Sequence, residues 1–383
     1  MTRSLTAALR RATRMMRPAG MTRATRSLGA SMTGLMVRSA LAPFAAAKPK
    51  AARVRKARAP KVGQTLGAVL RNLRAAQGMI PGMASAQPGR AVAPRIPAGA
   101  QYLARTHRSV AGSRAYKLYV PASQPTRPRG LIVMLHGCNQ TPDDFAVGTH
   151  MNGLAERHGL AIAYPAQSRQ GNALSCWAWF KPGNQARGGG EPAILASLAR
   201  KVATEYRIGR GNVFVAGLSA GGAMAAILAD TYPDVFAAAG IHSGLVRGAA
   251  HNVLTATAAM RRGGTPDGAA PAGAAPIPAA RRIVFQGDAD TTVHPSNAAM
   301  IVAAAVGGTA VPVRCAARSV RGRGYVRTDY AGPDDAVLVE LWMLRGGGHA
   351  WSGGRAAGSF TDPKGPDASA QMVRFFLANA ARK

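Results

Sequence analysis

Three side chains in this 383-residue chain are of the types that act together in nucleophilic catalysis. They are Ser219 in G-L-S-A-G, an aspartate in V-F-Q-G-D-A-D, and His349 in R-G-G-G-H-A-W. A serine hydroxyl is a poor nucleophile at neutral pH. It needs a histidine to take its proton and a carboxylate to orient that histidine. Asp290 and Asp288 both follow the strand-like run R-I-V-F-Q-G, so the residues alone leave two candidates for the acid.

Negative charge that develops on a substrate oxygen requires backbone N–H donors. One falls on the residue after the nucleophile, Ala220. The other falls on Cys138, in V-M-L-H-G-C-N-Q-T, where an apolar strand runs into a His-Gly turn. The serine itself sits where the buried strand Val213 to Ala216 turns sharply into an alanine-rich helix beginning near Ala220. Gly217 and Gly221 bracket it in the GxSxG pattern, which lifts a hydroxyl clear of a sheet.

These residues need a scaffold that brings distant loops together. Strands are predicted at A-Y-K-L-Y-V, L-I-V-M-L-H-G, L-A-I-A-Y-P, V-F-V-A-G, A-A-A-G-I-H-S, R-I-V-F-Q-G and V-L-V-E-L-W-M-L. Helices are predicted near Met151 to His158, Pro192 to Tyr206, Ala220 to Tyr232, Pro295 to Ala305 and Asp367 to Ala380. Continuous apolar strands separated by helices imply a mostly parallel central sheet covered on both faces. The order serine, acid, histidine, each in a loop after a strand, is that of an α/β-hydrolase fold.

Composition separates a leader from a body. Hydrophobic residues make up 47% of the chain, enough for a substantial core, and no run of about 18 apolar residues suggests a membrane span. The net charge of +33 is uneven: no acidic residue precedes Asp143, and the first 100 residues carry 19 Lys and Arg. Residues 1–98 have Phe44 as their single aromatic and read as a largely disordered basic leader. Short helical spacings occur at Thr2 to Met16 and Leu66 to Gln77. Residues 99–383 form the folded domain, interrupted at Arg261 to Arg282 by a Gly/Pro/Ala-rich stretch that reads as a flexible surface excursion.

The leader's charge suits contact with a polyanion or a membrane surface, although no specific nucleic-acid motif accompanies it. That leaves a function of another class open, in which the chain is a polyanion-binding protein on an inactive hydrolase scaffold. A secretory signal starting at Met21 would be broken by Arg38. The cysteines Cys138, Cys176 and Cys315 match no zinc spacing, so no metal site is expected. His136, His242 and His294 read as structural or solvent-facing.

Taken together, L-I-V-M-L-H-G-C-N-Q-T-P-D-D-F-A, S-C-W-A-W-F, V-A-G-L-S-A-G-G-A-M-A, F-Q-G-D-A-D-T-T-V-H-P and G-G-G-H-A-W-S-G-G resemble the bacterial esterase family of polyhydroxybutyrate (PHB) depolymerases. Relatives of that family include feruloyl and acetylxylan esterases. The resemblance runs from about Tyr116 to Leu377 and leaves the leader without a counterpart. It implies a cofactor-free serine esterase acting through an acyl-enzyme, outside the cell, on short-chain polyhydroxyalkanoate or its oligomers, with feruloyl or acetylxylan esters as the alternative. It makes Ser219 the nucleophile, His349 the base and, by position in the G-D-x-D loop, Asp290 rather than Asp288 the acid. Gln286 stands where the family usually has histidine. The resemblance also implies a bridge between Cys138 and Cys176. Trp351 and Trp177 could line an apolar cleft for the substrate, with Trp179 left in the core.

Overall fold

The structure, a computed structural model, describes residues 93–167, 174–265, 280–306, 311–318, 322–332 and 336–378. Except for 93–98, the leader with its two helical spacings lies outside the described residues. So does 266–279 of the Gly/Pro/Ala-rich stretch.

Among the described residues ten strands join in one sheet. They are β1 (Gln101–Ser109), β2 (Gly112–Val120), β3 (Gly130–Leu135), β4 (Leu160–Pro165), β5 (Val213–Leu218), β6 (Ala238–His242), β7 (Arg281–Gly287), β8 (Val311–Arg318), β9 (Gly324–Ala331) and β10 (Val337–Leu344). Their spatial order is β1-β2-β4-β3-β5-β6-β7-β10-β9-β8. The six inner strands, β4, β3, β5, β6, β7 and β10, run parallel. Antiparallel pairs, β1 with β2 and β9 with β8, extend the sheet at its two edges.

Every residue of β3, β4 and β5 is buried, as parallel strands covered on both faces must be. Alternate side chains feed two cores. Val133 and Val215 point to one, with α3 (Gly190–Glu205), α4 (Ala220–Thr231) and α6 (Ser296–Val306). Ile132, Met134 and Phe214 point to the other, with α1 (Pro142–Thr149), α2 (Met151–His158) and α7 (Ala368–Leu377). This is the α/β-hydrolase architecture expected from the strand and helix pattern.

The helices start where local chemistry favours it. In α1, the Thr141 hydroxyl accepts from the Asp144 amide, Pro142 occupies the first turn, and Asp143 and Asp144 complement the positive end of the helix dipole. In α4, alanine supplies high helix propensity and a narrow profile, which lets the helix bury all of Ala220 to Ala229 against the sheet.

Several elements went unseen in the sequence. The edge strands β1 and β9 and the helix α5 (Val253–Arg262) have only one covered face or few buried residues, and the edge strand β8 and the eight-residue helix α1 were missed as well. The ends of the Gly/Pro/Ala-rich stretch are regular rather than flexible: Arg261 and Arg262 complete α5, and Arg281 and Arg282 open β7.

Candidate active site

Four parallel strands deliver their carboxyl ends to one place. β5 ends in Ser219, which adopts φ 58° and ψ −119° between strand and helix. A non-glycine residue there is strained, at a cost of about 1–3 kcal/mol. The surroundings enforce it. The Ser219 N–H donates to the His242 carbonyl at 2.9 Å, and the Ser219 carbonyl accepts from Ala223 at 2.9 Å. Gly221 is required because a Cβ there would lie 2.1 Å from the Leu135 carbonyl oxygen, so the Ser219 turn and the end of β3 touch backbone to backbone.

β7 and β10 are adjacent and in parallel register, with Gly287 beside Leu344. Their following loops interlock. Asp288 N–H donates to the Leu344 carbonyl at 3.1 Å and Ala289 N–H to the Gly347 carbonyl at 3.0 Å. A Cβ on Gly287 would meet the Gly347 carbonyl oxygen at 2.1 Å, which explains why glycines face each other here. The Asp288 carboxylate accepts from the Gly346 amide at 2.6 Å and is spent on this lacing.

Asp290 instead meets the histidine. His349 Nδ1 donates to Asp290 Oδ2 at 2.8 Å. The other carboxylate oxygen accepts from the amides of Thr292 at 2.9 Å and Val293 at 2.8 Å, and Gln286 Nε2 donates to Oδ2 at 3.2 Å. Burial on its own would raise the Asp290 pKa. The hydrogen bond and charge of His349, with the Val293 and Thr292 amides, outweigh it and hold the carboxyl below its ordinary range. The acid is therefore a carboxylate at neutral pH. It fixes the His349 proton on Nδ1 and leaves Nε2 free to accept another.

Ser219 and His349 share the wall of a pocket of about 200 Å³ with Gly137, Cys138, Leu218, Thr291, Thr292 and Phe360. Among the described residues, neither the Cys138 N–H nor the Ala220 N–H donates to any protein acceptor, whereas the Gly137 N–H is taken by Gln140 Oε1 at 2.8 Å. Two free amides thus flank the serine, as stabilisation of a developing oxyanion requires. Cys138 is bonded to Cys176, with their Cα atoms 4.3 Å apart, so the turn after β3 is tied to the loop before Trp177.

Two imidazoles support the site from beneath without facing the pocket. His136 is fully buried. Its Nε2 accepts from the Gln167 amide at 3.1 Å and its Nδ1 donates to the Gly137 carbonyl at 2.8 Å. His242 Nε2 accepts from the Ser352 amide at 3.0 Å. Burial pushes both well below the histidine range, to about 4 for His136 and about 3 for His242, so both are neutral. His294 is exposed and bonds Ser296 at 2.8 Å. Among the described residues, no group of three or more His, Cys, Asp or Glu could hold a metal ion.

The tryptophans correct the expectation of a substrate cleft. Trp351 is 1% exposed. It stacks on His242 at 5.3 Å, packs edge-on to Phe145 at 5.4 Å, and donates its indole N–H to Ser369 at 3.0 Å. Trp177 is fully buried and donates to the His136 carbonyl at 2.9 Å, with Arg114 over its ring. Both rings brace the site, because each buried indole N–H must find an acceptor: Trp177 finds it on the turn after β3 and Trp351 in the first turn of α7. Trp179 is also in the core. The pocket wall is made by Leu218, Thr291, Thr292 and Phe360, which sequence reasoning missed. The two threonines directly follow Asp290, and that adjacency was the available signal.

The family model described as esterase PHB depolymerase matches residues 114–319. A probable acetylxylan esterase A from Aspergillus fumigatus is 30% identical over 229 residues, covering 56% of this chain and 60% of that one. Poly(3-hydroxyalkanoate) depolymerase C from Paucimonas lemoignei is 29% identical over 238 residues, covering 60% of this chain and 57% of that one. The chain spans about three fifths of the length of these curated relatives. Among solved structures, the acetyl xylan esterase from Aspergillus awamori superposes with a TM-score of 0.53 at 22% identity, covering 65% of this chain and 93% of that one, which establishes the shared fold.

Proposed function

The chain belongs to the esterase PHB depolymerase family, and from that membership we propose that it is a serine-dependent carboxylic ester hydrolase. One observation carries the proposal: Ser219 on its strained turn shares a pocket with a histidine whose proton is fixed by a buried carboxylate.

In this mechanism Ser219 Oγ attacks the ester carbonyl carbon as His349 Nε2 takes the hydroxyl proton. The carbonyl oxygen becomes an oxyanion between the Cys138 and Ala220 amides. His349 then gives its proton to the leaving alkoxide as the carbon–oxygen bond breaks, and an acyl-serine remains. Water repeats the sequence, with His349 again taking and returning a proton, and the acid departs. Each oxyanion donor contributes about 10²–10³ in kcat. Asp290 stays ionised and steadies the imidazolium.

The substrate is a short-chain polyhydroxyalkanoate or an oligomer of it. A pocket of about 200 Å³ walled by Leu218, Phe360 and two threonines favours a small, flexible acyl group over a rigid feruloyl ring. The depolymerase relative supports the same choice. Acetyl esters of xylan are the second reading, favoured by the acetylxylan esterase relative. The Cys138–Cys176 bond supports an oxidising compartment outside the cytosol.

The test has two parts. A fluorophosphonate should label wild-type protein at Ser219, and kcat/KM should be higher for hydroxybutyrate oligomers than for acetylated xylan or methyl ferulate. An unlabelled serine would sink the hydrolase assignment. A reversed ranking would reassign the substrate and leave the chemistry in place.

A further inference from the structure

Phe360 has a backbone that an aromatic residue rarely adopts, φ 51°, and its half-buried side chain lines the pocket that contains Ser219. Its surroundings are built to keep it there. Its carbonyl accepts from the Trp351 amide at 2.7 Å. Thr361, the next residue, opens β12 (Thr361–Asp362), which pairs in parallel with β11 (Trp351–Ser352). On its other side Ser359 is locked by the Asp144 carboxylate, which accepts from the Ser359 amide at 2.9 Å and from its hydroxyl at 2.5 Å.

Gln140 joins this lock to the turn after β3. The side chain is 3% exposed. Its Oε1 accepts from the Gly137 amide at 2.8 Å, and its Nε2 donates to Asp144 Oδ2 at 3.0 Å and to the Ser359 carbonyl at 3.1 Å. One amide side chain therefore holds both the turn that carries the free Cys138 N–H and the loop that carries Phe360. A buried amide with both ends satisfied is a rigid spacer.

We propose that Phe360 is the specificity-determining residue that limits the size of the ester group admitted beside Ser219, and that Gln140 is the positioning residue that keeps this wall in fixed relation to the oxyanion-binding turn. The inference rests on the reading of the site as an esterase centre. No other phenylalanine, tyrosine or tryptophan lines the pocket among the described residues, so the ring of Phe360 is its largest apolar wall.

The test uses the full-length chain and two ester series, p-nitrophenyl esters from acetate to octanoate and alkyl acetates from methyl to octyl. For Phe360→Ala the ratio of kcat/KM for the longest to the shortest member should rise about tenfold or more in at least one series. Gln140→Glu keeps an acceptor for the Gly137 amide but sets a carboxylate against Asp144 and the Ser359 carbonyl. It should shift the same ratio in the same direction, with a smaller loss of kcat on acetate than Gln140→Leu, which removes both links. Unchanged ratios in both series for Phe360→Ala would overturn the proposal. So would equal proportional losses at every chain length in both Gln140 variants, since a merely structural residue behaves that way. Fluorophosphonate labelling of wild-type Ser219 separates the two layers: labelling with unmoved ratios sinks this inference alone, and absence of labelling sinks the esterase reading beneath it.

Discussion

The hydrogen bond of 2.8 Å from His349 Nδ1 to Asp290 Oδ2 selects one of two neighbouring carboxylates. Asp288, two residues earlier, is exposed and accepts the Gly346 amide, so it stitches the β7 and β10 loops and does not reach the imidazole. The two aspartates hold different things and should fail differently.

Asp290→Asn should lower kcat by about 10⁴, because an amide can donate to Nδ1 and so favours the wrong tautomer. Asp288→Asn should cost about tenfold or less, through a looser loop. Steady-state kinetics on p-nitrophenyl butyrate reads both. The opposite ranking would hand the orienting role to Asp288.

Ser219 offers a separation of activity from stability. Ser219→Ala and Ser219→Gly should both lower kcat by about 10⁶, since each removes the attacking oxygen. Only glycine relieves the backbone at φ 58°. After the added entropy of its unfolded chain is subtracted, Ser219→Gly should be more stable than Ser219→Ala by about 1 kcal/mol. Urea denaturation of the pair checks this, and equal midpoints would mean that the turn stores no usable strain.

The Cys138–Cys176 bond spans 38 residues in sequence. Closing a loop of that size restricts the unfolded chain by an amount worth up to about 4 kcal/mol. The double variant Cys138→Ala, Cys176→Ala should lose a large part of that stability. It should also lower kcat more than it raises KM, because the Cys138 amide is an oxyanion donor in the proposed mechanism. Wild-type kinetics before and after a thiol reductant should show the same asymmetry, and an unaffected kcat in both experiments would remove Cys138 from the oxyanion site.

Acid should destabilise the fold before the carboxylates titrate. His136 and His242 are neutral in the folded state down to about pH 4 and about pH 3, while an unfolded histidine binds a proton near pH 6.5. Between those limits the unfolded chain holds more protons, so stability rises with pH and falls on acidification. At pH 5 each group should have cost about 2 kcal/mol relative to pH 7. His107, whose pKa burial also lowers, acts in the same sense. Urea midpoints at pH 7 and pH 5 should differ accordingly, and coincident midpoints would be incompatible with two buried neutral imidazoles.

Sequence made the inner strands legible because a strand covered on both faces must be apolar throughout, as L-I-V-M-L and V-F-V-A-G are. The same physics hid the edges. β1, Q-Y-L-A-R-T-H-R-S, shows one face to water and interleaves Arg and Thr with its apolar residues, so its pattern resembles a loop. That Ser219, Asp290 and His349 would come together was legible because the proposed reaction calls for a hydroxyl, an imidazole and a carboxylate in one place, and the structure brings them there. The pocket wall was not, since a phenylalanine in G-S-F-T-D carries no mark of its position until the chain closes around it. The tryptophans misled for a related reason: an indole is as suited to bracing a buried loop as to gripping a ligand, and the acceptors that decide between the two, Ser369 for Trp351 and the His136 carbonyl for Trp177, lie 18 and 41 residues away.

Ser219, Asp290 and His349 follow long strands of the large sheet, whereas Phe360 hangs from the two-residue pairing of β11 with β12. Replacing the tip between those short strands disturbs no strand of the ten-stranded sheet. The tip is tied to that frame at Gly358, where a Cβ would lie 2.4 Å from Gly148 Cα, and at Ser359, which Asp144 and Gln140 hold, so the shape of the mouth is left to Arg355, Ala356, Ala357 and Phe360. A library confined to those four positions, with Gly358 and Ser359 kept, would sample substrate preference while leaving the links to Asp144 and Gln140 in place.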